Sequence, residues 1–436
     1  MDTINPENGK KSTKAFITVF AGQSISLAGS MIVQFALVWW LTVRTNSSIV
    51  LAMTTLAVIG PLVIFGPLAG VVSDRFSLRK VVILTDSAQA LMALVMALVT
   101  TNPNNSVGVL VLLLLGRGIA QAFQMPAQTI LSTVMLEEEN YGRFNAGQTL
   151  VSSLLSLSSP VIASLMIQVL PLPSIILVDV VSFFPGVIIM ALVPLPHRTK
   201  EPKRTEVQTF TSDFKEAIDY LKGSRLILII ALFAIVNLLL SPLFTLLPLY
   251  LVQVHHGSVA DYAVVEFSFQ VGILLGSVFL VVYKLKSTSK NITLASLLML
   301  ALFASVISIV PVGFFLGLAL VMVLVGLLIS ITDVTFLTFL QRTIPQRIQG
   351  RVFSLVFSSV KSILPLGLIG AGFLAESVGL PALYLTLPLL AFSVLLATIG
   401  ASKIIPVFWN KTRKVLQQNA FDDKVEITLL RLTKTQ

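Results

Sequence analysis

Cysteine is absent from this 436-residue chain, and histidine nearly so, with three copies. The first absence excludes disulfides and thiolate metal sites but leaves the compartment open. The second leaves little for acid–base chemistry. His197 falls in a charged linker, and His255 with His256 forms a loop pair for which a surface turn outweighs loose metal binding. No metal site and no cofactor is expected. No Ser-His-Asp set can be assembled from residues so placed, and the lack of a Gly-Lys-Ser/Thr phosphate loop argues against an ATP-driven pump, so an enzyme is not expected either. Charged residues are sparse at 11%, whereas apolar ones make up 55% and the mean hydropathy is +0.92.

The apolar residues gather into twelve segments: 15–43, 49–72, 81–101, 107–134, 144–170, 173–195, 225–252, 260–283, 291–311, 313–340, 352–376 and 380–406. Each has about 20 residues or more, enough to cross a hydrocarbon core of roughly 30 Å as a helix. With these as spans, every Lys and Arg except Arg44, Arg117 and Lys361 falls on one side of a membrane. The positive-inside rule then makes both termini cytoplasmic. The net charge of +10 reads as topology and attraction to anionic lipid, with no nucleic acid as partner. Residues 1–14 lead into a segment too long for a cleaved signal peptide, so the first span is expected to stay in the mature protein.

The chain also repeats. A shift of about 208 residues lays Gly142-Arg143-Phe144 on Gly350-Arg351-Val352 and Gly118 on Gly326, and a shift of 206 lays Gly66 and Gly70 on Gly272 and Gly276. The expected fold class is an all-α integral membrane protein with twelve transmembrane helices in two pseudo-symmetric six-helix bundles. The expected organisation is a cytoplasmic N-terminus at 1–14, a bundle at 15–195, a cytoplasmic linker at 196–224, a second bundle at 225–406 and a cytoplasmic tail at 407–436. Within the linker, Asp213 and Glu216 can cap a short amphipathic helix carrying Phe214, Ile218 and Leu221 on one face and ending at Gly223.

Polar side chains within lipid should turn to the bundle interior or to a wet cavity. Span one carries Gln23, Ser26, Ser30 and Gln34 on one helical stripe, and span four carries Arg117, Gln121, Gln124 and Gln128. Span ten offers Ser330, Asp333 and Gln341, and span seven Asn237, Ser241 and Thr245. These are the first helices of four triplets, which predicts a shared central cavity. The competing reading is that Gln and Ser merely bond neighbouring helices.

Arg117 lies some nine residues into its span, roughly 12 to 14 Å deep at 1.5 Å per residue. A cation there costs at least about 2.5 kcal/mol and needs an acid, water or a ligand beside it. Lys361 has the same problem. Asp179 and Asp333 are read either as proton-coupling or substrate groups or as static partners of those cations, because a carboxyl moved between dry and wet settings exchanges protons. Asp86 and Glu266, near span ends, are assigned solvated structural roles. Phe35, Trp39, Trp40, Phe123, Phe244 and Phe336 are candidates for an apolar cavity wall, with packing as the alternative.

The loop after span two reads Gly70-Val71-Val72-Ser73-Asp74-Arg75-Phe76-Ser77-Leu78-Arg79-Lys80. It resembles the signature loop of the major facilitator superfamily, with Ser77 where a second Gly is usual and Leu78 where a basic residue is often found. The resemblance implies a conformational gating loop of Gly70, Asp74, Arg75, Arg79 and Lys80, in which Asp74 caps a helix of the other half near residues 350–353. An acid at a helix N-terminus is favoured by roughly 0.3 to 2 kcal/mol. A plain charged turn is the competing reading. Arg117 falls where proton-coupled members carry an Arg, although Ala120 and Gln121 follow in place of Gln-Gly. The span-five antiporter signature survives only as Ser159-Pro160 with Ala163-Ser164.

Gln23-Ser24-x-Ser26, Gly66-Pro67-Leu68-Ala69-Gly70, Phe123 with Pro126-Ala127, Gly350-Arg351-Val352-Phe353 and Pro365-x-Gly367 are similar to the drug:proton antiporter branch that includes macrolide efflux proteins. That likeness implies proton-coupled export of small amphipathic compounds by alternating access, from a multi-pass protein of the bacterial plasma membrane. The partners it implies are such a substrate, protons and membrane lipids, with a monomer expected. The branch also holds siderophore exporters, and an organic anion would be drawn to Arg117 and Lys361, a cationic macrolide to Asp179 or Asp333. Import, and a membrane sensor without turnover, are the remaining alternatives.

Overall fold

The computed structural model describes residues 6–102, 107–136, 138–193, 218–221, 226–282 and 290–404. Among these residues the regular structure is helical. The first half holds α1 (Pro6–Thr45), α2 (Ser48–Arg75), α3 (Leu78–Thr100), α4 (Val107–Met135), α5 (Glu138–Val169) and α6 (Leu172–Leu192). The second holds α7 (Leu226–Thr245), α8 (Leu247–His255), α9 (Val259–Val282), α10 (Lys290–Val306), α11 (Phe315–Thr343), α12 (Gln346–Val378) and α13 (Leu380–Ile404). Twelve of the described helical stretches are long and apolar enough to cross a membrane. They carry large apolar side chains outward, such as Leu112 at 67% exposure and Leu192 at 77%, a surface that suits lipid rather than water.

Helices overrun the apolar segments on the basic face, where α1 begins at Pro6, α5 at Glu138 and α12 at Gln346, while α2 runs on to Arg75. Ser77 caps α3 by accepting from the Lys80 amide, and Ser47 caps α2 by accepting from Val50. The seventh expected span is two helices, because Pro248 brings no amide hydrogen and Leu246 takes φ −91°, ψ 0° at the break after Thr245. The ninth closes in a 3-10 turn, Ile307–Ile309, just before Pro311.

His255 departs from its expected surface turn. It ends α8 as a buried residue, its ring 5.2 Å from that of Tyr250 and 6.1 Å from that of Phe315, and it is His256, at φ 54°, that makes the turn. Of the linker helix, residues 218–221 are helical, and Tyr220 donates to the Thr343 carbonyl at 3.2 Å. Asp213, Phe214, Glu216 and Gly223 lie outside the described residues, as does the chain from 405 onward.

The chain divides into two compact units, Met1–Ala391 and Phe392–Gln436, and the site lies wholly in the first. There the halves meet where α12 packs on α2 and α9 on α5. At the face poor in basic residues, Ser47 donates to Glu376 at 2.7 Å, Ser48 to the Gly372 carbonyl at 2.7 Å and Gln253 to the Asn46 side chain at 2.9 Å. Phe35 stacks on Tyr262 at 4.6 Å, with Trp39 beside it at 5.9 Å.

Candidate functional site

Two close helix crossings build the site. On α1, a Cβ added to Gly29 would lie 2.7 Å from the Cβ of Ser182 and 3.3 Å from the Cα of Asp179, and one added to Gly22 would lie 3.2 Å from the Cα of Gly186. Only glycine lets α6 come this near, and the approach carries Asp179 to Ser30. On α4, a Cβ at Gly118 would lie 2.6 Å from the Ala57 carbonyl of α2, so α2 and α4 touch backbone to backbone beside Arg117.

Asp179 is fully buried. One carboxylate oxygen lies 2.7 Å from the Arg117 guanidinium, and the other accepts from the Ser30 hydroxyl at 2.8 Å. Arg117, with 12% of its side chain exposed, also donates to Ser30 at 3.3 Å. Three helices thus share one ion pair, and the cation read from sequence as needing an acid has it. Removing either partner would leave the other buried and uncompensated, at about 3 to 5 kcal/mol.

A second buried cluster lies around Asp86, and here the sequence reading is corrected. Asp86 is fully buried rather than solvated, because side chains of two neighbouring helices close over it. Gln23 of α1 donates to it at 3.0 Å, and Gln124 of α4 donates to its other oxygen. Gln89 of α3 donates to the Gln124 carbonyl at 2.8 Å, and Gln128 donates to that of Gln23 at 2.7 Å. The sequence did hold a signal: Asp86 and Gln89 stand three apart on one face of α3, the same spacing that marks the stripes of α1 and α4.

Beside the two clusters, along α1 from Phe16 to Val38, lies a cavity of about 380 Å³. The polar stripes of α1 and α4 face it together: Gln23, Ser26, Ser30 and Gln34 from one, Arg117, Gln121, Gln124 and Gln128 from the other. Its apolar wall comes from Phe16, Phe20, Leu114 and Phe183, not from the aromatics singled out in the sequence. Those pack instead: Phe336 stacks on Phe233 at 3.8 Å, Phe244 meets Phe269 at 5.0 Å and Phe123 meets Phe65 at 6.2 Å.

The second half does not share in this lining, contrary to the expected four-fold arrangement. Asn237 donates to its own helix, at the Phe233 carbonyl, 2.9 Å away, and Ser330 pairs with Ser277 of α9 at 2.8 Å. Glycine contact turns Ser330 inward, since a Cβ at Gly276 would lie 2.9 Å from the Cβ of Ser330. Asp333 and Lys361 are exposed, and among the described residues neither forms an ion pair. Asp333 follows the buried Thr332 and precedes the buried Thr335 and Phe336, so it stands off the packed face of α11.

In the gating loop, Arg79 donates to the Val193 carbonyl at the C-terminal end of α6, tying it to the start of α3. Lys80 is exposed, and a Cβ at Gly70 would meet open space. The side chains of Asp74 and Arg75 lie outside the described residues.

Comparison with known proteins matches residues 19–365 to the Major Facilitator Superfamily. Macrolide efflux protein A of Streptococcus pyogenes is 27% identical over 368 residues, covering 84% of this chain and 90% of that protein. Among solved structures, the nucleoside transporter NupG superposes with a TM-score of 0.65 at 15% identity, covering 89% of this chain and 98% of that one. A bacterial homologue of the iron transporter ferroportin, solved in an inward-facing state, gives 0.66 at 18%, covering 88% and 98%. The fold, the twelve spans and the matched length agree: this chain is a membrane transporter and belongs to the major facilitator superfamily.

Proposed function

We propose that the protein exports small amphipathic compounds of the macrolide kind from the cytoplasm or inner leaflet of a bacterial plasma membrane, driven by proton influx. Both termini are cytoplasmic in this reading, which rests on the basic loops. The basic face is then the cytoplasmic one, and in this reading the cavity, whose lining runs from Val38 down to Phe16, communicates with it, while the halves are hydrogen-bonded at the opposite face. The halves 15–195 and 225–406 pivot about their interface, and Gly70, Asp74, Arg75, Arg79 and Lys80 act where the cytoplasmic ends must close.

The observation that carries the substrate class is the mixture in the cavity wall. Neutral amides and hydroxyls alternate with Phe16, Phe20 and Phe183, a surface for a large molecule with scattered polar groups. The similarity to a macrolide efflux protein supports the same reading. An organic anion such as a siderophore is the weaker alternative, because the cavity's cation, Arg117, is already neutralised by Asp179. Arg117 and Asp179 are the buried charges whose pairing shapes the cycle. Asp333 and Lys361 take their part in a state where their faces of α11 and α12 are enclosed.

Accumulation and growth-protection assays with macrolides, dyes and siderophores, with and without an uncoupler, test this. Macrolide retention should rise when the protein is deleted or the uncoupler is added. Uncoupler-insensitive efflux would remove the proton, and protection against siderophores alone would change the substrate.

A further inference from the structure

Asp86 is the second carboxyl that the first half encloses, and the ion pair makes no use of it. Charged groups on the helices around it are engaged elsewhere or exposed. On α4 and α6, Arg117 and Asp179 hold each other; on α3, Arg79 bonds the Val193 carbonyl and Lys80 is exposed; α1 has no ionisable residue between 15 and 43. Asp86 is bonded by neutral amides instead, Gln23 and Gln124, themselves bonded by Gln128 and Gln89.

The difference in partner is chemically decisive. A guanidinium only donates, so Arg117 has no acceptor to offer a protonated carboxyl. A glutamine amide carries both NH2 and C=O, and by turning over it donates to a carboxylate or accepts from a carboxylic acid. The shell around Asp86 can therefore satisfy both protonation states inside a dry bundle, where an unsatisfied polar group is costly. It is also reachable: Gln23, Gln89, Gln124 and Gln128 all face the cavity, while Asp86 stands one side chain behind them.

We infer that Asp86 binds and releases the transported proton through its glutamine shell, while Arg117 and Asp179 only position the helices around it. The step is a proton transfer alone. A proton passes from cavity water to a carboxylate oxygen of Asp86 as the amides of Gln124 and of Gln89 behind it turn together. Gln124 goes from donor to acceptor at Asp86, and Gln89 from donor to acceptor at Gln124. Release reverses all of this, and no bond to substrate forms. The inference rests on the proton-driven efflux reading, and its test separates the two.

Infrared titration of the purified protein needs no substrate. Acidification protonates every carboxyl, so the readout is the component of the protonated-carboxyl band that differs between native protein and variant: a buried-acid component should be lost in Asp86→Asn and kept in Asp179→Asn. In proteoliposomes with radiolabelled erythromycin, Asp86→Asn should lower gradient-driven accumulation by an order of magnitude or more while downhill exchange of the label continues. Persistence of that component in Asp86→Asn, or intact gradient-driven accumulation, overturns the assignment. If the native protein moves no erythromycin, the macrolide reading fails and the component still decides Asp86. Should Asp86→Asn not fold, Gln124→Leu removes one donor from the carboxylate and keeps the acid. The component should then disappear at more alkaline pH, and an unchanged titration overturns the proposal.

Discussion

The two halves share a repeat but not a chemistry. In the second, Gly272, Gly276 and Gly326 zip α9 onto α11, with a Cβ at Gly326 falling 3.0 Å from the Ile273 nitrogen and one at Gly276 falling 2.6 Å from the Leu327 carbonyl. Polar side chains there are spent on their own helix or on one neighbour, as Asn237 and Ser330 are. In the first half the mates of two of those glycines, Gly66 and Gly70, meet open space, and the polar stripes of α1 and α4 face a cavity backed by two buried carboxylates. A duplicated fold can thus keep one copy as packed scaffold while the other carries the polar interior, because small-residue contacts fix helix rotation, and rotation fixes which polar face is hidden.

The largest expected effect comes from breaking the polar half. Arg117→Ala should bring macrolide efflux to background and lower stability by about 3 to 5 kcal/mol, since it strands Asp179. Arg117→Met with Asp179→Leu should recover most of the stability but not the efflux, as thermal unfolding in detergent and accumulation assays would record. A single variant with native stability and transport would end the contrast between the halves.

Next come the glycines. Gly326→Ala should cost about 1 to 3 kcal/mol by overpacking against α9. Gly70→Ala, in a helix and against open space, should be neutral or stabilise by up to about 1 kcal/mol. Equal losses for both would mean that the halves are packed alike in the state that dominates in solution.

Asp333→Asn and Lys361→Gln probe the exposed charges of the second half, and each should leave stability within about 0.5 kcal/mol of native. Abolished efflux in either, with the protein intact in the membrane, would put part of the chemistry into the half described here as scaffold.

The smallest effect concerns the face poor in basic residues. Burial, and secondarily the neighbouring His256, lower the His255 imidazole below its ordinary 6.5, so it is neutral at pH 7. A lowered folded value contributes stability that is present above the unfolded value and lost as pH falls below it. Acidification from pH 7 through that range should therefore loosen the native protein slightly more than His255→Phe, by melting temperature. Parallel curves would remove the histidine from any pH response.

Much of this was legible before the structure. The twelve spans follow from length and hydropathy, and the burial of Arg117 and the shared facing of the α1 and α4 stripes follow from helical spacing. Asp86 was not legible in this way: its place near a span end implies solvent, whereas its burial comes from Gln23 and Gln124 on two other helices. Asn237 and Ser330 belong by spacing to stripes like those of α1 and α4, but Asn237 bonds its own helix and glycine contact turns Ser330 onto α9, which spacing alone does not reveal.

The chain's own order of residues determined that it crosses a membrane twelve times, which loops are basic and which helix faces are polar, since these depend only on residue type and a period of 3.6. Only the tertiary structure decided which polar face meets a cavity, that Asp179 rather than Asp333 answers Arg117, and that Asp86 is enclosed by amides. Those outcomes depend on the angle and closeness at which helices far apart in sequence cross, set at Gly22, Gly29 and Gly118 by atoms that come together only once the bundle has formed.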